Sequence, residues 1–317
     1  MSATHTITTS PASVRIFSPF KGQYEDFRDE LVSQGYAVVK GAVPLERASY
    51  YQQKAFEWLR SFDTSLDFED LSTWRKAQLP VQTDKNTYEN YGVVHERFMW
   101  EARMEPGVLD AFSKIWGTDE LLASFDSLNI TLLNLKIARV PWPYGIINLS
   151  HAGPEDGSLV VIPGSHTLVE EFFDTKTDPA SWEWRDNRYF NDKDMDWFRG
   201  HGLEPRRVIA EPGDLILWDS RTIHWGGEPT EKSHTIRTVI YAAYAPATLA
   251  TKEAITEKQK IFDANGATTH WPHDNIKLRD LKAQLPDGTT DPRDRSEPLE
   301  KAKQSEKLLK LAGVKAY

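Results

Sequence analysis

EPGDLILWDSRTIHWGGEPTEKSHTIRTVIYAAYAP, residues 211–246, is built from two apolar runs and the turns around them. Pro212-Gly213-Asp214 is a turn signal, LILW reads as a buried strand, and Asp219-Ser220-Arg221 opens a loop that presents His224. After a Gly-Gly turn the next strand, TIRTVIYAAY, carries Arg237 thirteen residues beyond His224. An antiparallel pair joined by this loop would turn both side chains to the interior. The same grammar extends outward through SLNITLLNLKI, YGIINLS, GSLVVIPGSH and RRVIAEPGDLILWDS. Short apolar runs at this spacing, bounded by turns, predict an all-β sandwich or barrel over residues 121–247.

The flanks follow a helical period. Tyr24, Phe27 and Leu31 recur at helical spacing until Gly35, and YAVVKGAV (36–43) reads as a short strand. Pro44 opens a helix at a favoured first-turn position, with Ala48, Tyr51, Ala55, Trp58 and Phe62 on one face. A polar, irregular region spans 63–94, and a helix from Pro106 to Trp116 aligns Val108, Phe112 and Ile115. The charged, Trp-rich insert 175–202 reads as loop plus a short helix, and the tail as two helices around the turn-rich LPDGTTDPRDRSEP. The expected organisation is a flexible arm (1–18) and one domain (19–317). That domain divides into a helical part (19–120), a β-core (121–247) and a helical tail (248–317).

The bulk numbers exclude several functions. The chain has 317 residues, a net charge of -9 and no basic block, which argues against phosphate-backbone recognition of nucleic acid. With no cysteine there are no disulfides, thiolate metal sites or thiol nucleophiles. No apolar stretch approaches a membrane span, and the N-terminus lacks a signal-peptide apolar run, so the expected location is cytoplasmic.

His224 and Arg237 carry the chemical signal. A buried arginine without an acid in its own strand needs an anion, and its planar fork suits a carboxylate. A nearby histidine can ligate a metal through a neutral ring nitrogen. On spacing alone, a satisfied core histidine and a structural ion pair fit equally well.

GPEDGSLVVIPGSH (153–166), followed at a distance by EPGDLILWDSRTIH and then an arginine, resembles the phytanoyl-CoA dioxygenase superfamily of Fe(II)/2-oxoglutarate-dependent oxygenases, and within it a fungal group. The likeness extends to ELVSQGYAVVKGAVP, HERFMWEARMEPGV, KIWGTDELLASFDSLNIT, TTHWPHDNI and EKLLKLAGVKAY, and so covers nearly the whole chain. The resemblance implies a mainly β fold with flanking helices around a double-stranded β-helix (jelly-roll, cupin-like) core. It implies Fe(II) and 2-oxoglutarate as cofactors, His224 as the distal iron ligand, and Arg237 as the grip on the distal carboxylate of 2-oxoglutarate. It also implies oxidation of a small lipophilic metabolite in secondary metabolism.

Half of the implied iron site has no counterpart. Such oxygenases bind iron through two histidines and one carboxylate, two of them as His-x-Asp or His-x-Glu, because residues two apart on a strand reach the same metal. None of the nine histidines has Asp or Glu two places later. In the resembling family a Pro-Trp-Pro turn leads into His-x-Asp, and a Gln-Gly pair then opens the next strand. Here PWP runs straight through Tyr144 to Gly145 and IINL, as though a segment between Pro143 and Gly145 had been excised. His151, in SHAGPED, reads as a loop residue. The chain is then either an oxygenase whose sequence lacks a short segment, as from a wrongly placed intron, or a pseudoenzyme acting as a binding module or as the dimer partner of an active homologue. A bland ligand-binding jelly roll is the third reading. Trp218, Trp225 and Tyr241 are candidates for the pocket or the core. HERFMW (95–100) reads as a lid or core contact, and His166 as a turn cap.

Overall fold

The structure, a computed structural model, describes residues 23–75, 78–83, 85–132, 145–181, 189–279 and 282–317. The expected arm (1–18) and the Pro141–Tyr144 junction lie outside the described residues. The helices are α1 (Phe27–Gln34), α2 (Leu45–Arg60), α3 (Arg97–Arg103), α4 (Pro106–Trp116), α5 (Val169–Lys176), α6 (Asp192–Gly200), α7 (Lys252–Asp263) and α8 (Glu306–Leu311). The strands are β1 (Tyr36–Val39), β2 (Thr87–Tyr88), β3 (Leu121–Ala123), β4 (Leu128–Thr131), β5 (Gly145–Asn148), β6 (Ser158–Val161), β7 (Arg206–Arg207), β8 (Leu215–Trp218), β9 (His224–Gly227), β10 (Arg237–Ala242) and β11 (Tyr244–Pro246).

Two antiparallel sheets make the jelly-roll core. The larger has the order β1-β8-β5-β10-β4-β2 and the smaller β7-β6-β9, while β11 and β3 form a separate pair. Strands distant in sequence are neighbours, as closure of a double-stranded β-helix requires. Alternation assigns the faces. Ile146, Ile216, Trp218 and Val239 of the large sheet share one buried cluster with Leu159 and Val161 of β6, so they fill the space between the sheets. Their neighbours Ile147, Leu215, Leu217, Ile240 and Ala242 point to the other face, into the cluster that contains Ala48, Tyr51, Ala55 and Trp58 of α2. The large sheet is thus covered on one side by the N-terminal helices and on the other by the small sheet. Full burial of each aliphatic side chain in this stack contributes about 1.5–3 kcal/mol.

The predicted boundaries hold with local adjustments. α1 ends at Gly35, whose φ of 78° is the left-handed conformation that glycine tolerates. The strand expected over 36–43 stops at Val39, because Gly41 turns the chain toward α2; Pro44 is the cap of that helix rather than its first turn. Gly213, in the Pro-Gly-Asp turn, has φ 95°, and a Cβ there would meet the Val43 carbonyl oxygen at 2.2 Å. The turn therefore locks β8 against the β1–α2 connection and leaves no space for a side chain. The tail supplies the two expected helices, α7 and α8.

HERFMW belongs to the core and not to a lid: His95, Phe98, Met99 and Trp100 are all buried. The Trp100 indole N–H donates to His95 Nδ1 at 3.3 Å, and Nε2 lies 3.0 Å from the Gly266 carbonyl, to which it can only donate. Both ring nitrogens are thus used by the neutral imidazole, and burial pushes the His95 pKa down to about 3. Two further cations are enclosed nearby. Arg103 donates to the carbonyls of Val94 and Asp126, and Lys258 donates to the Ala123 carbonyl at 2.6 Å with its ammonium over the Phe125 ring.

Candidate functional site

The space between the sheets carries polar groups at both ends and, at its centre, apolar side chains flanked by two buried asparagines. Along β10, Arg237, Val239 and Tyr241 share the inward face; Val239 is buried, whereas Arg237 and Tyr241 are half-buried. The register places Thr131 beside Arg237, Asn129 and Asn148 beside Val239, and Ile146 beside Tyr241. Directly opposed residues of antiparallel strands project to the same side, so these side chains line one wall.

His224 comes from the opposite wall. It begins β9 opposite Val161, an inward residue, whereas the next residue, Trp225, is opposite Val160 and packs outward on the aromatic cluster of Phe172 and Phe198. Trp225 is therefore not a pocket residue. His224 and Arg237 do not sit on a paired β-hairpin, as the spacing had suggested: their strands belong to different sheets. Closure of the sandwich, not strand pairing, turns both inward. The His224 ring lies 5.6 Å from that of Trp218, which is 8% exposed and whose indole N–H has no hydrogen-bond partner among the described residues. His224 Nδ1 is 2.6 Å from the Thr222 carbonyl. A carbonyl can only accept, so Nδ1 carries the hydrogen and the Nε2 lone pair is the basic one, the tautomer that metal-bound histidines use.

Arg237 donates from Nη1 to Asn129 Oδ1 at 2.7 Å, and Asn129 is held in turn by Thr131 Oγ1 and by its own donation to the Lys85 carbonyl. No carboxylate pairs with Arg237 among the described residues. Its side chain passes the start of β6, where a Cβ on Gly157 would lie 3.3 Å from Arg237 Cδ. Gly157 adjoins Ser158, which pairs with Gly227 at the end of β9 away from His224. Three strand steps, about 10 Å, therefore separate the His224 end from the Arg237 end. A half-buried guanidinium oriented by a neutral amide could receive a carboxylate.

The residues do not fit the family's iron in the same way. A facial triad needs three protein donors, of which His224 could supply one. No group of three His, Asp or Glu side chains that could hold a metal forms among the described residues. Residues 133–144, which join β4 to β5, contain no His, Asp, Glu or Cys at all. His151 does not supply the deficit: it is half-exposed in its loop, with Nδ1 2.9 Å from Glu211. His166 does not cap its own corner: its Nε2 lies 3.0 Å from the carbonyl of Val32 in the last turn of α1.

The other end of the cleft was not legible beforehand. Tyr241 faces His270, ring to ring at 6.5 Å, and His270 Nδ1 is hydrogen-bonded to the buried carboxylate of Asp126. Burial would raise the Asp126 pKa, but His270 and the Ser127 N–H outweigh it and hold the pKa below the ordinary value. These residues lie 144 positions apart in sequence, so no local spacing could have announced them. Asn129 was missed for a related reason: in SLNIT it is one polar residue in a strand, and its role appears only with Arg237 beside it.

Comparison with known proteins adds the following. Residues 143–238 match the family described as Phytanoyl-CoA dioxygenase (PhyH). "Ava biosynthesis cluster protein O" of Aspergillus versicolor is 38% identical over 277 residues, which covers 81% of this chain and 89% of that protein. The structure of GlcNAc Inducible Gene 2, GIG2 (DUF1479), from Candida albicans shares the fold with a TM-score of 0.59 at 13% identity, over 91% of this chain and 76% of that one. The epimerase SnoN, solved with Fe3+, alpha ketoglutarate and nogalamycin RO, gives a TM-score of 0.48 at 16% identity, over 86% and 94% of the two chains. No helix among the described residues is long and apolar enough to cross a membrane.

Proposed function

Because the chain belongs to the phytanoyl-CoA dioxygenase family, we propose that it is an oxygenase-lineage protein of secondary metabolism that keeps the cosubstrate half of its site and lacks the His-x-Asp half. In this reading Arg237, oriented by Asn129, binds the distal carboxylate of 2-oxoglutarate, and the substrate class is a small lipophilic metabolite. Trp218, through its indole N–H, and Tyr241 are the polar pocket residues. His224 is the remaining iron ligand, and this chain alone does not turn over 2-oxoglutarate. The observation that carries the reading is the inward guanidinium of Arg237, paired with no carboxylate among the described residues, on one sheet with the tautomer-fixed His224 on the other. The biosynthetic-cluster relative supports the metabolic setting.

Fe(II) bound by an intact triad would be chelated by the ketone of 2-oxoglutarate and give it a large advantage over glutarate, which has both carboxylates and no ketone. Without the triad that advantage disappears. The expected calorimetric result is that 2-oxoglutarate and glutarate bind with affinities within about threefold, a difference of roughly 0.6 kcal/mol, with or without added Fe(II), and that no succinate forms. Fe(II)-dependent succinate formation by the isolated chain would overturn the incomplete-site reading. Failure of both dicarboxylates to bind would overturn the role of Arg237.

The family match begins at Pro143, where the missing half would stand. Genomic DNA is expected to encode a His-x-Asp segment between Pro143 and Gly145, absent from the spliced form translated here. Sequencing the gene and its transcripts across codons 140–148 checks this. Contiguous, in-frame DNA without such codons favours the second reading, a pseudoenzyme that serves as a binding module or pairs with an active homologue.

A further inference from the structure

The side chain that holds Arg237 is fixed at both ends and carries no charge. Asn129 lies on β4 beside Val239, two residues before Thr131, the register partner of Arg237. It is 1% exposed, so its amide has to find its partners inside the fold. Its Oδ1 accepts from Arg237 Nη1 at 2.7 Å and from Thr131 Oγ1 at 3.0 Å, and its Nδ2 donates to the Lys85 carbonyl at 2.7 Å. A guanidinium can only donate and a carbonyl can only accept, so the amide has a single allowed orientation.

The charge of this residue matters as much as its direction. An aspartate has nearly the same shape and would keep both contacts at Oδ1. It would also set a full negative charge against the guanidinium in a site from which water is partly excluded, where such a contact is strong. The ion pair would then be complete within the protein, and an incoming carboxylate would have to compete with it. Asparagine supplies the orienting acceptor and leaves the positive charge to be met from outside. The other polar residues on this wall, Thr131 and Asn148, are buried and uncharged as well. A buried arginine kept only for structure is ordinarily matched by an acid in the fold; among the described residues Arg237 has none.

We propose that Asn129 is the charge-selecting residue of this site: it directs the Arg237 guanidinium without neutralising it, which restricts the ligand to one that brings its own carboxylate. Thr131 is a positioning residue that acts through Asn129. This deepens the proposed function and rests on Arg237 being a ligand contact.

The test compares an acid with an apolar side chain at two positions, in the full chain, with 2-oxoglutarate as the calorimetric probe and urea unfolding as the second readout. Asn129→Leu removes the orienting acceptor and leaves the charge open, so a loss of about fivefold is expected, the worth of one neutral hydrogen bond. Asn129→Asp keeps the acceptor and closes the charge, so a loss of at least about 30-fold is expected. Thr131→Val and Thr131→Asp repeat the comparison from the register neighbour with Asn129 in place, with expected losses of about threefold and at least about tenfold. Asn129→Asp retains the bonds from Arg237 and Thr131 that Asn129→Leu loses, so it is expected to be the more stable of the two and the weaker binder. A purely structural role would make affinity follow stability. Acid variants that bind as well as their apolar counterparts, or affinities that follow the stability order, would overturn the charge-selecting role while leaving Arg237 as the ligand contact. Failure of the unaltered chain to bind 2-oxoglutarate would overturn the Arg237 reading and this inference with it.

Discussion

Arg237→Leu is expected to weaken 2-oxoglutarate binding at least about 100-fold. A guanidinium–carboxylate pair provides two charge-assisted hydrogen bonds, together worth about 3 kcal/mol when water is partly excluded. Leucine supplies neither, and nothing among the described residues replaces them: Asn129, which orients the guanidinium through Oδ1, has its amide nitrogen committed to the Lys85 carbonyl. Arg237→Lys retains the charge and loses the fork, so an intermediate loss of about tenfold is expected. Arg237 is half-buried and makes one neutral hydrogen bond, so the leucine substitution should cost the fold less than about 1 kcal/mol. Calorimetry on the three proteins, with urea unfolding as the control, checks this. Wild-type affinity in the leucine variant would remove Arg237 from the site.

Lys258→Met is expected to change how stability depends on pH. Lys258 is completely enclosed, and burial, aided by the nearby Arg103 charge, pushes its pKa from 10.5 down to about 7. The unfolded chain therefore holds more protons than the folded one between about pH 7 and 10.5, and folding stability rises with pH across that window by about 1.4 kcal/mol per unit. The contribution is fully present above the unfolded pKa and is lost as pH falls toward the folded one. The other groups that sense this ammonium, His95 and His273, have pKa values lowered by burial and titrate below the window. The buried tyrosines 51, 88, 91 and 244 have raised pKa values, which lowers stability above about pH 10 in both proteins and cancels in their difference. Methionine cannot titrate, so the wild-type-minus-variant unfolding free energy should grow by about 2.7 kcal/mol between about pH 7.5 and 9.5. The Ala123 carbonyl loses its donor in the variant, a pH-independent cost of about 1–3 kcal/mol that offsets the curves without altering the slope. Parallel urea-unfolding curves across this range would show that Lys258 is protonated normally in the folded state.

Local chemistry explains which features were legible in the sequence. A strand buried on both faces needs a continuous apolar run, and LILW, GIIN and SLVV have one; turns need Gly, Pro or Asp, and those residues bound the runs. The helix face of α2 and the ends of α4 follow from the 3.6-residue period in the same way. That residues 133–144 contain no His, Asp or Glu is also a local fact. The jelly-roll core and the family were therefore within reach of the sequence.

The arrangement of side chains between the sheets depended on long-range closure. Sequence spacing put His224 and Arg237 on one hairpin; the fold puts them on facing sheets, because each strand pairs with partners far along the chain, His224 with Val161 and Arg237 with Thr131. Periodicity could not tell that Trp218 points inward and Trp225 outward, since that depends on which partner each strand acquires. Nor could it bring Asp126 to His270 or Asn129 to Arg237. The amino-acid sequence by itself determined the strands, the covering helices, the family and the absence of any His-x-Asp or His-x-Glu pair, because each is written in short-range pattern or composition. The tertiary structure alone decided which polar groups share the space between the sheets, because that follows from the pairing of strands whose separation along the chain carries no period.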